Sequence, residues 1–243
     1  MANKVIVVTG ASGGLGEATA KYLAKKGHRL VLAARRKEKL ESVTNEINDS
    51  GGQAIFFETD VTSKAQVQNL VDKALENFGQ IDVLVNNAGL MAIAPLSEVK
   101  TDEWDTMIDI NIKGLLYGIA AALPVFQKQG FGHFINIASV AGIKVFSPGG
   151  TVYSGTKFAV RAISEGLRHE VGGNIRTTTI EPGAVDSELK LGSSHKESAD
   201  FVKEFYKIAI PADSVARAIA FAIEQPADVD INEIALRPTV QEF

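Results

Sequence analysis

Short apolar segments alternate with longer amphipathic segments along almost all of this chain of 243 residues. The short segments are rich in β-branched residues and end in turn residues, which is typical of buried strands, whereas the longer ones repeat apolar residues at the helical period. Strands that alternate with helices require crossover connections, and right-handed crossovers make the strands parallel and place helices on both faces. The alternation therefore predicts an α/β fold with a doubly wound parallel sheet, the Rossmann type.

No shift in composition marks a domain boundary, so we expect a single domain over residues 1–243. The polar segment at residues 187–210 interrupts the alternation, and we expect it to form a substrate lid, because α/β proteins place such excursions over ligands. We predict about seven strands, at residues 5–8, 30–33, 54–58, 83–85, 133–137, 176–180 and 233–236. We predict helices at residues 14–26, 38–50, 65–78, 103–128, 152–171 and 214–224.

Charge and composition argue against several classes of function. The formal net charge of -4 disfavours a nucleic-acid partner. The absence of cysteine excludes disulfides, thiolate catalysis and cysteine-ligated zinc, and fits a reducing cytoplasm. The histidines show no metal-ligand spacing, and no serine lies in a G-x-S-x-G turn. No segment approaches the roughly 20 apolar residues of a membrane span, so we expect a soluble, cytoplasmic protein without metal or membrane.

The first predicted strand leads directly into a glycine-rich turn and a helix. Glycines occupy positions 10, 14 and 16, a spacing that differs from the commoner G-x-G-x-x-G. Glycines let the backbone approach a pyrophosphate closely, and the helix N-terminus offers free N–H groups. A glycine turn that binds no ligand is the alternative, but the position at the start of a strand–helix–strand unit favours dinucleotide binding.

The residues after the second predicted strand bear on which dinucleotide binds. Enzymes that use NAD usually have an acidic residue there, whereas this chain has Arg35, Arg36 and Lys37 before the first acid, Glu38. Three cations at the start of a helix oppose the helix dipole, and a bound 2′-phosphate would reverse the sign of that interaction. The alternative is a solvated basic surface. The pattern favours NADP(H) over NAD(H).

Tyr153 and Lys157 are four residues apart on a predicted helix and therefore share a face. An ammonium group beside a phenol favours the phenolate, so we expect Lys157 to lower the pKa of Tyr153 from about 10. Tyr22 and Lys26 have the same spacing without a catalytic context. Ser139 ends a predicted strand, at the sheet edge where ligands bind, although a turn or cap serine is the alternative there.

These residues occur in a fixed order with several other motifs. The full ordered set of motifs is T-G-x-x-x-G-x-G at residues 9–16, Asp60-Val61, N-N-A-G at residues 86–89, Asn111, Ser139, Tyr153-x-x-x-Lys157 and Pro182-Gly183. Through them the chain resembles the short-chain dehydrogenases/reductases over residues 4–238. An asparagine inside a long helix is locally unfavourable, which agrees with a hydrogen-bonding role for Asn111.

The resemblance implies a role for each matching residue. Tyr153 is implied as the general acid or base, Lys157 as the group that binds the ribose and tunes Tyr153, Ser139 as the donor that orients the carbonyl, and Asn111 as the holder of a relay water. The implied cofactor-binding residues are Gly10, Ser12, Gly13, Gly14, Leu15, Gly16, Arg35, Arg36, Asp60, Val61, Asn87, Ala88, Gly89, Tyr153, Lys157, Pro182, Gly183, Val185 and Ser187. The candidate substrate-pocket residues are Leu90, Met91, Val140, Phe146, Ala184 and Leu189.

We therefore predict an NADP(H)-dependent oxidoreductase, a carbonyl reductase or alcohol dehydrogenase, acting on a small carbonyl compound or its alcohol. Residues 147–153 and 237–239 look like the branch of the family that oxidises serine and 3-hydroxy acids, which is one alternative. An acyl-carrier-linked ketoreductase is another, and an NADP(H)-sensing regulator is the alternative outside enzymes. The resemblance also implies a homotetramer or homodimer packed through helices 103–128 and 152–171.

Overall fold

The computed structural model describes residues 3–242 and contains one seven-stranded parallel sheet. The strand order is β3-β2-β1-β4-β5-β6-β7, which confirms the doubly wound fold predicted from the sequence. The strands match the predicted segments to within two residues at either end. They are β1 Val5–Thr9, β2 Arg29–Ala34, β3 Gln53–Glu58, β4 Val83–Asn86, β5 Gly132–Ile137, β6 Ile175–Pro182 and β7 Glu233–Leu236.

Helices cover both faces of the sheet, because neighbouring residues of each strand point to opposite sides. In β1, Ile6 and Val8 pack against one group of helices, whereas Val5 and Val7 pack against the other. The first face holds α1 Gly14–Lys25, α2 Lys37–Asp49 and α8 Ala212–Ile223; the second holds α3 Lys64–Phe78, α5 Gly114–Gln129 and α6 Thr151–Glu170.

The predicted helix at residues 103–128 has an interruption that the periodicity did not reveal. It consists of α4 Thr101–Ile108, a wider π-helical turn at Asp109–Lys113, and α5. Such turns are frequent at functional sites. The run Thr101–Gln129 is also long and apolar enough by composition to span a membrane, so the expectation that no segment approaches a span was too strong. Core helices of soluble proteins pass the same criterion, and Leu115 and Phe126 of α5 are buried against the sheet.

The predicted lid at residues 187–210 is largely helical. It contains the short turn Glu188–Leu191, α7 Lys196–Phe205 and a second short turn at Tyr206–Ile208. The hydroxyl of Ser193 lies 2.8 Å from the backbone nitrogen of Ile93, and the Ser194 N–H donates to Glu103. These contacts hold the lid against the loop that follows β4 and against α4.

The strand order changes direction between β1 and β4: β2 and β3 are added on one side of β1, and β4 to β7 are added on the other side. Open α/β sheets bind ligands at the carboxyl edge of such a switch point. Thr9 ends β1 and Asn86 ends β4, so the glycine turn and the N-N-A-G motif meet at this edge.

Candidate active site

A cleft of about 410 Å³ lies along the carboxyl edge of the sheet. Arg35 and Arg36 follow β2 and Asp60 follows β3, whereas Ser139 follows β5, three strand spacings from β2. At about 4.8 Å per spacing this separation is roughly 14 Å, a suitable length for the two halves of a dinucleotide. Every site residue predicted from the sequence lines this cleft except Gly16 and Asn111.

The glycine turn leaves room and free N–H groups for a phosphate. Gly10 and Gly14 have φ values of 66° and 54°, which favour glycine. A Cβ on Gly10 would lie 2.9 Å from the Cα of Ala88, so the backbones of the two motifs approach closely. No side chain caps the N-terminus of α1, where N–H groups face the cleft end of the turn. These features suit a pyrophosphate.

Gly16 packs beneath the turn instead of lining the cleft. A Cβ on Gly16 would overlap the carbonyl of Gly10 and the side-chain amide of Asn87. Asn87 itself donates from Nδ2 to the carbonyl of Thr9 at 2.8 Å, and its backbone N–H donates to the Thr9 hydroxyl at 3.0 Å. The conformation of the glycine turn therefore depends on close packing and on hydrogen bonds between β1 and β4.

Arg36 connects the glycine turn to the lid. Its Nε and Nη2 donate to the hydroxyl and carbonyl of Ser12 at 3.1 Å each, and Nη2 lies 2.7 Å from a carboxylate oxygen of Glu188. The hydrogen bond from Arg36 lowers the pKa of Glu188. Lys39 lies 3.7 Å from the other carboxylate oxygen. The lid thus brings an acidic residue to the place where the sequence showed only cations.

Ser139 and Tyr153 are both buried at the opposite part of the cleft. The Ser139 hydroxyl accepts from the Ala141 N–H at 3.1 Å and donates to the Pro182 carbonyl at 3.3 Å, so this serine also caps the short turn Val140–Gly142. Burial raises the pKa of Tyr153 to about 12, although a hydrogen bond with Ser139 acts in the opposite direction.

Lys157 lies beside Tyr153, but the expected lowering of the tyrosine pKa does not occur in this structure. The Lys157 Nζ donates to the carbonyl of Ile137 at 2.9 Å and lies 5.8 Å from the centre of the Tyr153 ring. Burial lowers the pKa of Lys157 to about 8. Burial therefore sets the direction of both pKa shifts, and for Tyr153 that direction is opposite to the one that the sequence spacing suggested.

Asn111 lies in the π-helical turn and holds the loop after β4. Its Oδ1 accepts from the Leu90 N–H at 2.8 Å, and its Nδ2 donates to the Leu90 carbonyl at 2.9 Å and to the Thr156 hydroxyl at 3.0 Å. Together with Lys157 it lines a small cavity of about 10 Å³ next to the cleft. A cavity of this size has room for about one water molecule.

The substrate end of the cleft is formed by the apolar residues predicted from the sequence and by others that the sequence did not indicate. The predicted residues there are Leu90, Met91, Val140, Phe146, Ala184 and Leu189. Phe205 and Tyr206 come from the lid, and Gln241 comes from the C-terminal segment, where it accepts from the Ala184 N–H at 2.8 Å. A further lid residue, Glu188, lines the glycine-turn end beside Arg36. The polar sequence of the lid indicated that Glu188 could reach the cleft, but no local sequence pattern indicated this for Phe205, Tyr206 or Gln241.

Comparisons with known proteins agree with this geometry. The family model for short chain dehydrogenase matches residues 4–198. An uncharacterised oxidoreductase of Listeria innocua is 51% identical over 243 residues, which cover 98% of each chain. An alcohol dehydrogenase from the archaeon Thermococcus sibiricus, complexed with 5-hydroxy-NADP, has a TM-score of 0.88 at 32% identity and covers 99% of each chain.

Two further solved structures bear on the cofactor. The closed form of a serine dehydrogenase complexed with NADP+ has a TM-score of 0.90 at 32% identity, over 98% of this chain and 96% of that one. A short-chain dehydrogenase/reductase from Burkholderia phymatum in complex with NAD has a TM-score of 0.89 at 29% identity, over 96% of this chain and 88% of that one. The chain is therefore similar along its length to oxidoreductases that bind nicotinamide dinucleotides.

Proposed function

The chain belongs to the short-chain dehydrogenase/reductase family of oxidoreductases, and on that premise we propose that it interconverts a ketone or aldehyde and its alcohol with NADP(H). The observation that supports this proposal is the single cleft that joins Arg35 and Arg36 to Ser139 and Tyr153. A cation pair at one end suits a 2′-phosphate, and a buried phenol at the other end suits proton transfer to oxygen.

The reaction needs a hydride and a proton. When bound, the nicotinamide supplies the hydride to the carbonyl carbon in reduction and accepts it in oxidation. The Tyr153 hydroxyl gives its proton to the carbonyl oxygen in reduction and takes it back in oxidation. At neutral pH the Tyr153 hydroxyl is protonated and holds the proton that is transferred, although its raised pKa makes it a weaker acid than a free phenol. The Ser139 hydroxyl donates a hydrogen bond to the same oxygen and stabilises the developing negative charge.

Lys157 and Asn111 support Tyr153. With a pKa of about 8, Lys157 carries a positive charge at neutral pH, and this charge stabilises the phenolate that Tyr153 becomes after proton transfer. Asn111 and Lys157 share the cavity beneath the cleft, and a water held there would return a proton to Tyr153 through Lys157. This role remains part of the proposal.

The substrate end of the cleft favours a neutral carbonyl compound. Within residues 3–242, the cations that line the cleft are Arg35, Arg36 and Lys157; the two arginines follow β2 at the glycine-turn end, and the Lys157 Nζ donates to the Ile137 carbonyl. A substrate carboxylate would therefore have no cationic partner there. Oxidation of serine or of a 3-hydroxy acid is the second candidate, because the chain is similar to a serine dehydrogenase.

The first experiment follows NADPH absorbance with a panel of ketones, aldehydes and hydroxy acids. We expect turnover with neutral ketones or aldehydes, and a loss of about 10²–10⁴-fold in kcat for Tyr153→Phe, because the general acid is removed. Tyr22→Phe is the matched control and should keep wild-type activity, since Tyr22 lies on α1 and is absent from the cleft lining. A preference for serine or 3-hydroxy acids would favour the second candidate, and NADPH binding without turnover would favour a regulator or a carrier-bound substrate.

The same assay tests the choice of cofactor. Arg36→Ala should raise the KM for NADPH about 10- to 100-fold, because a charge-assisted hydrogen bond of about 1.5–3 kcal/mol is lost, and should leave the KM for NADH nearly unchanged. Equal effects on the two cofactors would contradict the proposed recognition of a 2′-phosphate by Arg36.

A further inference from the structure

Tyr206 places a second phenol in the substrate end of the cleft, on the lid and facing the region of Tyr153. The two phenols are close enough for the charge of Tyr153 to act on Tyr206 and raise its pKa further, after burial as the main cause. Tyr206 is 53 positions from Tyr153 in the sequence and lies on the lid, whereas Tyr153 lies on α6.

The Tyr206 hydroxyl is poorly satisfied within the protein. Among residues 3–242, its hydrogen-bond acceptor is the Met91 sulfur at 3.8 Å, and a thioether is a weak acceptor. The raised pKa means that the phenol keeps its proton and remains a donor at neutral pH. A donor left without a strong acceptor in a desolvated site costs free energy, so a ligand that supplies an acceptor gains affinity.

The ring of Tyr206 has a fixed place in the lid. It packs edge-on against Phe205 with ring centroids 5.9 Å apart, and Phe205 lies 5.8 Å from the ring of Phe146 across the cleft. The Ser193 and Ser194 contacts hold the lid against the opposite wall. Packing of these aromatic rings therefore restricts rotation of the Tyr206 side chain and fixes the position of its hydroxyl.

We propose that the Tyr206 hydroxyl is a substrate-positioning donor that binds a second oxygen of the substrate. This inference rests on the proposed function, in which Tyr153 and Ser139 engage the reacting carbonyl oxygen. A compound that accepts from Tyr153 and from Tyr206 through different atoms carries two oxygens, and we place the second oxygen next to the reacting carbonyl because both phenols line one apolar pocket. The preferred substrates are then neutral carbonyl compounds with a neighbouring carbonyl, ester or hydroxyl oxygen, such as diketones and keto esters.

The test compares hexane-2,3-dione with hexan-2-one, which has the same chain length and one oxygen fewer. We expect wild type to have the higher kcat/KM for the dione, and Tyr206→Phe to lower that value about tenfold while changing the value for hexan-2-one less than twofold, because about one hydrogen bond is lost. The effect should fall mainly on KM, since Tyr206 does not transfer the proton. The matched control Tyr22→Phe should change neither value.

A second measurement does not depend on turnover. Calorimetric titration of the dione and of hexan-2-one into the complex with NADP+ reports binding alone, because NADP+ cannot reduce them. The dione should bind wild type more tightly, and Tyr206→Phe should abolish the difference while keeping the same Tm and the same affinity for NADP+. Equal binding of the two ketones by wild type, or an equal loss for both in Tyr206→Phe, would overturn the role of Tyr206. Dione-selective binding without turnover would support the subsite and contradict the proposed catalytic function.

Discussion

Tyr153 and Lys157 illustrate how burial controls chemistry at single residues. Each side chain is less than a tenth exposed, and burial favours its neutral form. Burial therefore raises the pKa of Tyr153 to about 12 and lowers the pKa of Lys157 to about 8. A charged lysine in such a place destabilises the folded protein, and proteins accept such a cost at sites that need the charge for function. The buried charge of Lys157 is thus kept at the expense of stability.

The cost at Lys157 can be measured in the protein without cofactor. Because its pKa falls from 10.5 in the unfolded chain to about 8 in the fold, the unfolded state binds more protons between these values and the free energy of unfolding rises with pH across that window. Below pH 8 the full penalty, about 3 kcal/mol, is present. Lys157→Met should therefore be more stable than wild type at pH 7, by about 2 kcal/mol after the lost hydrogen bond to Ile137 is subtracted.

Urea unfolding at pH 7 and pH 10 checks this expectation. The advantage of Lys157→Met should shrink toward pH 10, because wild-type Lys157 is then largely neutral in the fold. Lys113→Met is the matched control: Lys113 is exposed and paired with Asp109, which raises its pKa, so this variant should gain no stability at pH 7. A variant at Lys157 that is less stable than wild type at pH 7 would contradict the prediction.

At the scale of elements, the lid contacts the glycine turn as well as the loop after β4. Ser187 lies against Gly14, and a Cβ on Gly14 would be 3.0 Å from the Ser187 Cβ. The next residue, Glu188, pairs with Arg36 above the glycine turn. The lid therefore presents a carboxylate to the arginine that is proposed to bind the 2′-phosphate, and the two anions compete for one guanidinium.

Removing this competition should strengthen NADP+ binding. Glu188→Gln should lower the Kd for NADP+ about two- to fivefold and leave that for NAD+ nearly unchanged, since a half-exposed ion pair contributes up to about 1 kcal/mol. Calorimetric titration of both cofactors measures the effect. Asp186→Asn is the matched control, because Asp186 is a carboxylate directly before the lid that pairs with Lys190 instead of Arg36. Weaker NADP+ binding by Glu188→Gln would show that the carboxylate assists binding.

At the scale of the whole molecule, the helices on one side of the sheet expose large apolar side chains. Leu116 on α5 is 43% exposed and Phe158 on α6 is 38% exposed. These are the helices expected from the sequence to pack against a second copy, and apolar outer faces agree with that expectation. We propose that the chain forms a homodimer or homotetramer through this side.

Light scattering coupled to size exclusion tests the assembly. The double variant Leu116→Glu, Phe158→Glu should reduce the molar mass of the wild-type particle, because charges would be buried at the contact. Phe131→Glu, which changes a side chain of similar exposure (41%) in the turn before β5, should not. A monomeric wild type, or an unchanged mass for the double variant, would contradict the proposed interface.

The sequence alone determined the sheet, its winding and most of the cleft. Strand and helix periods are local properties, and the ends of parallel strands must meet at one edge, so Gly10, Asn87 and Ser139 could be placed together from the sequence. Tyr153 lies on α6 and joined them through the ordered motifs of the family resemblance. Tertiary structure decided the rest. The π-helical turn at Asn111, the pKa directions of Tyr153 and Lys157, and the arrival of Glu188, Tyr206 and Gln241 in the cleft depend on burial and on contacts between distant segments. No local sequence pattern predicts these features, because desolvation and packing act only once the chain has folded.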